Sequence, residues 1–215
     1  MKNDPVKKSP TQNINDVALA YMEQKYGERF EYVAPWGNSM SGTREFLAKC
    51  DSLPRQEVLV QIENYRNEDK IFRDNYLAVK YREDTIDFIL NCANQVFGET
   101  TVFYDVAKMA LSPELPVNAT FDEYFADPRG FVSVSIEVKS SDFVSKEQAQ
   151  KVIDPIATAC KADYLGIIIV IVEDDKYGTF DIDSLGEHVV SRQFVQCVRL
   201  TRQNGSTFTE WLGEE

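Results

Sequence analysis

The hydrophobic pattern of the chain repeats one junction three times: an amphipathic helix that turns directly into an apolar strand. In each helix, apolar residues recur at spacings of three and four, which places them on one helical face. In the strands that follow, apolar residues alternate or run continuously. The pattern predicts these three helix-to-strand modules at residues 14–26 into 30–33, 85–97 into 101–106, and 145–161 into 165–172.

Other segments show the period-two alternation that is typical of half-buried strands. The continuously apolar segment 165–172 instead indicates a strand buried on both faces at the centre of a sheet. Residues 44–50 are predicted to form a short helix. Together the elements predict an α+β fold, with one mixed β-sheet of about seven strands and helices mainly on one face. The additional strands are predicted at 58–62, 77–81, 132–138 and 194–202. In 132–138, apolar residues alternate with Ser133, Ser135 and Glu137, so one face of this strand is predicted to be less deeply buried.

The length of the chain lies between that of one large domain and that of two small ones, and a single domain is predicted because one continuous sheet is favoured over two independent cores. A chain of 215 residues can bury enough surface to fold without metals or disulfides. The predicted domain covers residues 13–215 and follows a polar, flexible tether at 1–12 that contains two prolines. Residues 107–118 carry two further prolines and are the candidate sub-domain boundary. The segments on either side of it, 76–106 and 132–172, are each predicted as strand, helix and strand.

The chain is acidic, since 35 Asp and Glu against 23 Lys and Arg give a net charge of −12. Proteins that bind nucleic acid gain much of their affinity from clustered Lys and Arg, so this balance argues against general nucleic-acid binding. A basic protein partner would be attracted, although a solvated acidic surface is the commoner reason for such a charge. The longest apolar run is far shorter than the roughly 20 residues of a spanning helix, so no membrane-spanning segment is predicted.

Catalytic and metal-binding signatures are incomplete. His188 is the one histidine, and no nucleophile motif accompanies it, so a neutral or surface histidine is favoured. The acidic segment 173–187 fails the spacing of an EF-hand loop, which favours a hydrated loop without calcium. Neither a metal nor a cofactor is predicted.

The cysteines form no pair with the spacing of zinc ligands. Two of them, Cys92 and Cys160, lie on the apolar stripes of predicted helices and are predicted as core residues. A disulfide between Cys50 and Cys197 stays open at this stage.

The segment 35–43, PWGNSMSGT, is the candidate ligand-binding loop. It precedes the predicted helix at 44–50, whose first backbone N–H groups would face an anion. It lacks the GK[ST] of a P-loop and the G-x-S-x-G of a nucleophile elbow. A turn-rich connection with Trp36 anchored in the core is the alternative, and the commoner one. The candidate binding residues are Trp36, Asn38, Ser39, Ser41, Thr43 and Arg44.

Aromatic residues also lie among charges in the segment 64–75, around Tyr65, Ile71 and Phe72. Such residues can anchor an interface, or they can cap the core beneath a long connection, and capping is favoured. Near the carboxyl end, Trp211 is predicted to dock a terminal turn onto the body.

Three stretches of the chain carry a resemblance to a known group of proteins. They are Ala18-Leu-Ala-Tyr-Met-Glu-Gln-Lys-Tyr-Gly-Glu-Arg-Phe30, Pro35-Trp-Gly-Asn-Ser, and Arg73-Asp-Asn-Tyr-Leu-Ala-Val-Lys-Tyr81. Over most of its length the chain resembles uncharacterised Firmicutes proteins, some of which look like lipoproteins. The resemblance implies an α/β body on a tether, displayed outside the cytoplasmic membrane, and it brings no activity or site residues. The sequence itself lacks a lipobox cysteine.

Because the scaffold is well patterned and catalytic chemistry is sparse, the sequence predicts a non-catalytic domain that binds an unknown protein or cell-envelope component. One alternative is an acidic cytoplasmic antagonist of a basic protein, of the toxin-neutralising type. Another is a hydrolase in which Ser39 or Ser41 meets His188 or a carboxylate of raised pKa. No apolar leader core follows Met1, so a cytoplasmic protein and the mature part of an exported one both stay open, with the cell surface slightly favoured.

Overall fold

The computed structural model describes residues 13–38, 42–104, 106, 115–191, 194–203 and 205–213. The chain divides into two compact units, Met1–Asp74 and Asn75–Glu215. The predicted tether at 1–12 and most of the candidate boundary at 107–118 lie outside the described residues, so both stay predictions.

The first unit is a helix followed by four antiparallel strands. Its elements are α1 Ile14–Tyr26, β1 Phe30–Asn38, β2 Arg44–Cys50, β3 Val58–Glu63 and β4 Ile71–Asp74. The strands pair in chain order, β1-β2-β3-β4. α1 ends at Gly27, where φ is 72°. Glycine adopts that left-handed conformation without a Cβ clash, so it stops the helix and begins the turn into β1.

One face of this sheet and α1 form the core of the first unit. Ala18 and Met22 of α1 are fully buried, and the ring of Tyr21 stacks on Phe72 of β4 with ring centroids 5.0 Å apart. A fully buried methionine side chain such as that of Met22 contributes about 2 kcal/mol of transfer free energy. The buried strand residues on this face are Phe30, Phe46, Ala48, Val58, Val60 and Ile62.

A buried carboxylate ties α1 to β4. Asp74 is 2% exposed and accepts hydrogen bonds from Lys25 Nζ at 2.8 Å and from Tyr26 Oη at 2.6 Å. A carboxylate removed from water is stable only when it is paired and hydrogen-bonded. These two hydrogen bonds therefore fix the last turn of α1 beside the end of β4.

The second unit is a mixed five-stranded sheet with helices. Its elements are α2 Tyr76–Lys80, α3 Arg82–Phe97, β5 Thr101–Tyr104, α4 Phe121–Phe125, β6 Phe131–Lys139, α5 Lys146–Ala159, β7 Tyr164–Val172, α6 Ile182–Val190, β8 Gln196–Gln203 and β9 Ser206–Gly213. The strands pair in the order β5-β6-β7-β8-β9, with β6 and β7 parallel and the other pairs antiparallel. A parallel pair needs a crossover, and α5 supplies it.

The central strand β7 is buried on both faces. At one end of its sheet, Leu185 and Val189 of α6 pack against Val170 and Val172 of β7 and Cys197 of β8. On the opposite face lie alternating residues of β6 and β7 together with the buried stripe of α5. Two covered faces explain why the sequence of β7 has no polar alternation.

Arg202 of β8 closes the carboxyl end of α5. The last carbonyl groups of a helix have no partner within it and need donors from elsewhere. The Arg202 guanidinium donates to the carbonyl oxygens of Ala157, Cys160 and Ala162.

The predicted fold class is confirmed, because the chain is α+β with helices packed against β-sheets. The three predicted helix-to-strand modules are present as α1 into β1, α3 into β5, and α5 into β7. The strands lie in two sheets of four and five, where a single sheet was expected. Among the described helices, none combines the length and the hydrophobicity of a membrane span.

Two predicted elements are wrong. Residues 44–50 form β2 and not a helix, because pairing with β1 and β3 on both sides outweighs the local helix preference of this segment. Residues 77–81 were predicted as a strand, but Tyr76–Lys80 is the helix α2. A short, fully buried apolar run fits both periods, so its sequence could not distinguish them. The strands β4 and β9 were not predicted.

Breaking the Asp74 pair should destabilise the first unit. Lys25→Ala removes the ammonium group that pairs with the buried carboxylate at 2.8 Å, and we expect a loss of about 3 kcal/mol in the free energy of unfolding. The control Lys49→Ala breaks an exposed pair with Glu31 and should cost less than about 1 kcal/mol. Urea unfolding in a Trp211→Phe background lets the fluorescence of Trp36 report on the first unit. Equal losses for the two variants would contradict this account.

Candidate functional site

The edge strand β1 departs twice from regular pairing with β2. The register shifts once at Val33 and once at Trp36, so each is an extra residue relative to β2. Such β-bulges bend a strand and change the direction of its side chains. Between them lies Pro35, which has no backbone N–H to donate. This edge therefore resists the addition of another strand.

The bulged part of β1 exposes three large apolar side chains. Tyr32, Val33 and Trp36 are 42%, 38% and 45% exposed, whereas Phe30 at the start of the strand is buried. Trp36 is thus not the core anchor that the commoner interpretation of this loop required. Exposed aromatic residues are enriched at protein interfaces. We refer to Tyr32, Val33 and Trp36 as the β1 surface.

The β1 surface borders a groove. Two concavities of about 550 and 270 Å³ lie between β1, the end of β2 and the connection 51–57. Both are lined by Glu31, Lys49 and Pro54, so they adjoin, and Tyr32 and Val33 line the larger one. We refer to the two concavities together as the β1 groove.

The β1 groove carries charges of both signs. The Glu31 carboxylate lies 3.4 Å from the Arg29 guanidinium and 3.4 Å from the Lys49 ammonium group. All three side chains are exposed, so each pair contributes at most about 1 kcal/mol. Arg55 and Glu57 add a further charge of each sign to the lining. Mixed charges beside exposed aromatic residues resemble the polar rim and apolar anchors of a protein interface.

Cys50 lines the smaller concavity without the properties of a nucleophile. Burial raises the pKa of its thiol, partly opposed by a contact of 3.6 Å with the Ser52 hydroxyl. Burial also raises the pKa of Cys92 and Cys160, and it raises that of Cys197 to about 11. Such thiols stay protonated at neutral pH and react slowly. All four cysteines are free, so the disulfide left open by the sequence is not formed.

The described members of the predicted binding set lie in β1, in β2 or immediately before β2. Trp36 lies in β1, Thr43 precedes β2, and Arg44 begins β2 in register with Asn38. Ser39 and Ser41 lie outside the described residues, as does the side chain of Asn38. The predicted anion site depended on a helix at 44–50, and β2 occupies that position. Ligand binding by these six residues stays a prediction.

Two carboxylates of the acidic segment 173–187 accept hydrogen bonds from backbone N–H groups. Asp174 accepts a hydrogen bond from the N–H of Ser141 at 3.0 Å, and Asp181 caps α6 by accepting from the N–H of Ser184 at 2.8 Å. The hydrogen bond from Ser141 lowers the pKa of Asp174, and those from the hydroxyl and the N–H of Ser184 lower the pKa of Asp181. Across the described ranges, no group of three or more His, Cys, Asp or Glu side chains is placed to hold a metal ion.

Two aromatic predictions have different outcomes. Phe72 stacks on Tyr21 and caps the core of the first unit, which confirms the favoured interpretation for that residue. Trp211 lies within β9 and not on a terminal turn, with the Lys146 ammonium 5.3 Å from its ring. The sequence did contain a signal for this strand, because Asn-Gly at 204–205 is a strong indicator of a two-residue hairpin.

Sequence reasoning missed the most unusual carboxyl group of the second unit, Glu137. Its alternation with serines along β6 indicated a less buried face, yet Glu137 is 0% exposed. Its Oε1 accepts a hydrogen bond from the N–H of Gly178 at 3.1 Å, and its Oε2 has no hydrogen-bond partner within the described residues. Burial raises its pKa, while the hydrogen bond from the N–H of Gly178 acts in the opposite direction.

The connection between β7 and α6 covers this carboxyl group. Tyr177, next to Gly178, accepts a hydrogen bond from the Thr101 hydroxyl at 3.2 Å, and the Lys139 ammonium lies 4.6 Å from the centre of its ring. Lys139 in turn pairs with Glu99 at 2.8 Å. Glu137 thus holds a surface connection in place from beneath and does not face solvent.

Comparisons with known proteins assign neither a family nor an activity. No family model matches the chain, and no curated protein matches it. A solved structure of a DUF5037 family protein from Ruminococcus gnavus is similar, with 11% sequence identity and a TM-score of 0.46. The similarity covers 90% of this chain and 93% of that one.

The pH dependence of stability should reveal the raised pKa of Glu137. The folded state holds the proton of Glu137 more tightly than the unfolded state does. The contribution of Glu137 to folding stability is therefore present below its ordinary pKa of 4.5 and is lost as the pH rises through the pKa of the folded state. Glu137→Gln mimics the protonated form. We therefore expect the difference in melting temperature, Glu137→Gln minus wild type, to increase as the pH rises from about 4 to about 8.

Glu99→Gln is the matched control for this measurement. Hydrogen bonding and charge from Lys139 lower the pKa of Glu99, so the relative melting temperature of this variant should change with pH in the opposite direction. Parallel curves for the wild type and Glu137→Gln would show that the carboxyl group is not desolvated.

Proposed function

We propose that this chain is a non-catalytic interaction domain that binds another protein through the β1 surface and the β1 groove. The observation that carries the proposal is the exposure of Tyr32, Val33 and Trp36 beside a concave, mixed-charge surface. A few buried aromatic anchors supply most of the energy of a typical interface, and polar residues around them exclude water. The β1 surface offers the anchors and the β1 groove offers the polar rim.

The form of β1 supports docking by side chains. Two bulges and Pro35 interrupt the outer row of backbone groups, which leaves little for a partner strand to pair with. The same bulges turn neighbouring apolar side chains outward. A partner would therefore bury Trp36 and Tyr32 in its own pockets and pair its charges with those of the groove.

The chemistry of the described side chains supports a non-catalytic role. The four thiols have raised pKa values, and the Glu137 carboxyl group, whose pKa is also raised, is fully buried. The alternative of a hydrolase needs Ser39 or Ser41 with His188. The two serines and the side chain of His188 lie outside the described residues, so this alternative stays a hypothesis.

Display at the cell envelope is part of the proposal. The resemblance to lipoprotein-like Firmicutes proteins favours it, and a cell-surface position would present the β1 surface to partners. Labelling of intact cells with a membrane-impermeant biotin reagent, followed by recovery of this chain, tests that position.

Site-specific photo-crosslinking tests the interface. A photoreactive phenylalanine analogue at position 36 should give one defined crosslinked product in intact source cells, and the same analogue at exposed position 144 should not. With the crosslinked protein then purified, Trp36→Ala should weaken its binding at least about tenfold, as expected of an anchor residue. Ile71→Ala is the matched control, because Ile71 is an exposed apolar residue at the other edge of the same sheet. It should change the affinity less than about twofold.

Two results would contradict the proposal. One is equal loss of affinity for Trp36→Ala and Ile71→Ala. The other is turnover in a screen of hydrolase, phosphatase and transferase substrates that is abolished by Ser39→Ala or His188→Ala, which would favour the hydrolase.

A second candidate function is an acidic antagonist of a basic protein, and the distribution of charge favours it. Residues 75–215 contain 12 Lys and Arg and 23 Asp and Glu, so 12 minus 23 leaves −11 of the total of −12 in the second unit. Attraction of this kind weakens as salt screens the charges. In a pull-down, the chain should therefore retain a basic partner at low salt and release it at high salt. Recovery of a partner that does not depend on salt would contradict this candidate.

A further inference from the structure

β9 forms an open edge of the second sheet. It pairs with β8 along its whole length, and no strand of the described chain pairs with its other side. Most of β9 is exposed, and Phe208 is 67% exposed. An edge strand presents a row of backbone N–H and C=O groups to which another strand can bind.

β9 lacks the features that usually protect such an edge. Prolines, bulges, lysines and very short strands are the common protections. β1 has Pro35 and two bulges, and β5, at the other edge of the second sheet, has four residues. β9 has eight residues, an unbroken register with β8, and Glu210 as its one charged residue.

The register of β9 shows which backbone groups face outward. Gln203 and Ser206 close a two-residue connection, and a turn of this length places a hydrogen bond between the carbonyl of the first and the N–H of the fourth residue. Antiparallel pairing then alternates along the strand. The backbone groups of Thr207, Thr209 and Trp211 therefore face the open edge.

The side chains of β9 define what could pair with it. Phe208 and Glu210 are two residues apart and share one face of the sheet. Arg199 of β8 approaches Glu210 only to 4.0 Å, and the Glu210 side chain is more than half exposed. A strand added at this edge would place every second side chain beside Phe208 and Glu210. An apolar residue beside Phe208 and a cation beside Glu210 are the favourable combination.

The charge of the second unit selects the class of partner. A second copy of this chain would bring a second unit of charge −11 against another of the same charge, and the two would repel each other. A cationic segment would instead be attracted to the acidic second unit.

We propose that β9 accepts an extended, cationic segment of a partner protein as a sixth strand of the sheet, with an apolar residue beside Phe208 and Lys or Arg beside Glu210. The main-chain hydrogen bonds of the outward groups supply affinity, and the alternate side chains supply specificity. This inference uses the second unit and does not depend on the β1 surface.

A short synthetic peptide tests the proposal on the full chain. The probe is fluorescein-labelled Thr-Val-Thr-Lys-Thr-Val-Thr-Lys, and the comparison peptide has glutamate in place of both lysines. We expect binding of the lysine peptide by fluorescence anisotropy, with at least about tenfold weaker binding of the glutamate peptide. Amide hydrogen exchange should slow at Thr207, Thr209 and Trp211 when the lysine peptide binds, which electrostatic adhesion elsewhere would not cause.

Variants of β9 separate strand addition from general attraction. Thr209→Pro removes an outward donor and should weaken binding about tenfold while leaving pairing with β8 intact. Glu210→Lys should reverse the preference between the two peptides, which keeps the test decisive if the proline variant is unstable. Glu187→Lys, an exposed substitution on α6 with the same change in charge, should preserve the preference.

Three results would overturn the proposal. One is equal binding of the lysine and glutamate peptides, or no binding of either. Another is a similar effect of Glu187→Lys and Glu210→Lys. The third is slow exchange of the outward amides without peptide together with a dimer in sedimentation equilibrium, which would identify a second copy as the occupant.

Discussion

Every open β-sheet leaves a row of backbone hydrogen-bonding groups unpaired at each edge, and this chain contains two such sheets. The two units manage this constraint in different ways. In the first, bulges at Val33 and Trp36 with Pro35 between them break the row of groups and turn apolar side chains outward. In the second, β9 keeps a regular register and leaves its outer backbone groups available. Both candidate binding surfaces follow from how an edge is closed or left open.

Inside each unit, a few buried or half-buried polar groups connect elements that apolar packing alone would not orient. Asp74 joins the last turn of α1 to β4, and Arg202 joins β8 to the carbonyl groups at the end of α5. Glu137 holds the connection after β7 through the N–H of Gly178. Hydrophobic contacts have little directional preference, whereas a buried charge or carboxyl group requires partners at particular positions. These groups therefore restrict how each layer can sit on its neighbour.

The candidate site was only partly predictable. The sequence identified the 35–43 segment and Trp36, but it assigned the segment to the start of a helix and favoured a buried Trp36. The groove could not be predicted, because it is formed by residues from β1, β2 and the following connection that come together only when the strands pair. Glu137 was misjudged for a related reason. The alternation of Glu137 with serines correctly indicated the strand β6. The side chain is nevertheless buried, because the connection between β7 and α6, about forty residues later in the chain, covers it.

The sequence by itself determined the α+β class, the three helix-to-strand modules and the central position of β7, because these depend on the period of apolar residues within single segments. Tertiary structure decided that residues 44–50 form a strand, that Tyr76–Lys80 forms a helix, and that the strands divide between two sheets. Local preference differs by only a fraction of a kilocalorie per residue, so partners distant in the sequence determine such segments through hydrogen bonds and burial. The exposure of β1 and β9 has the same origin, since an edge exists only once the order of the strands is set.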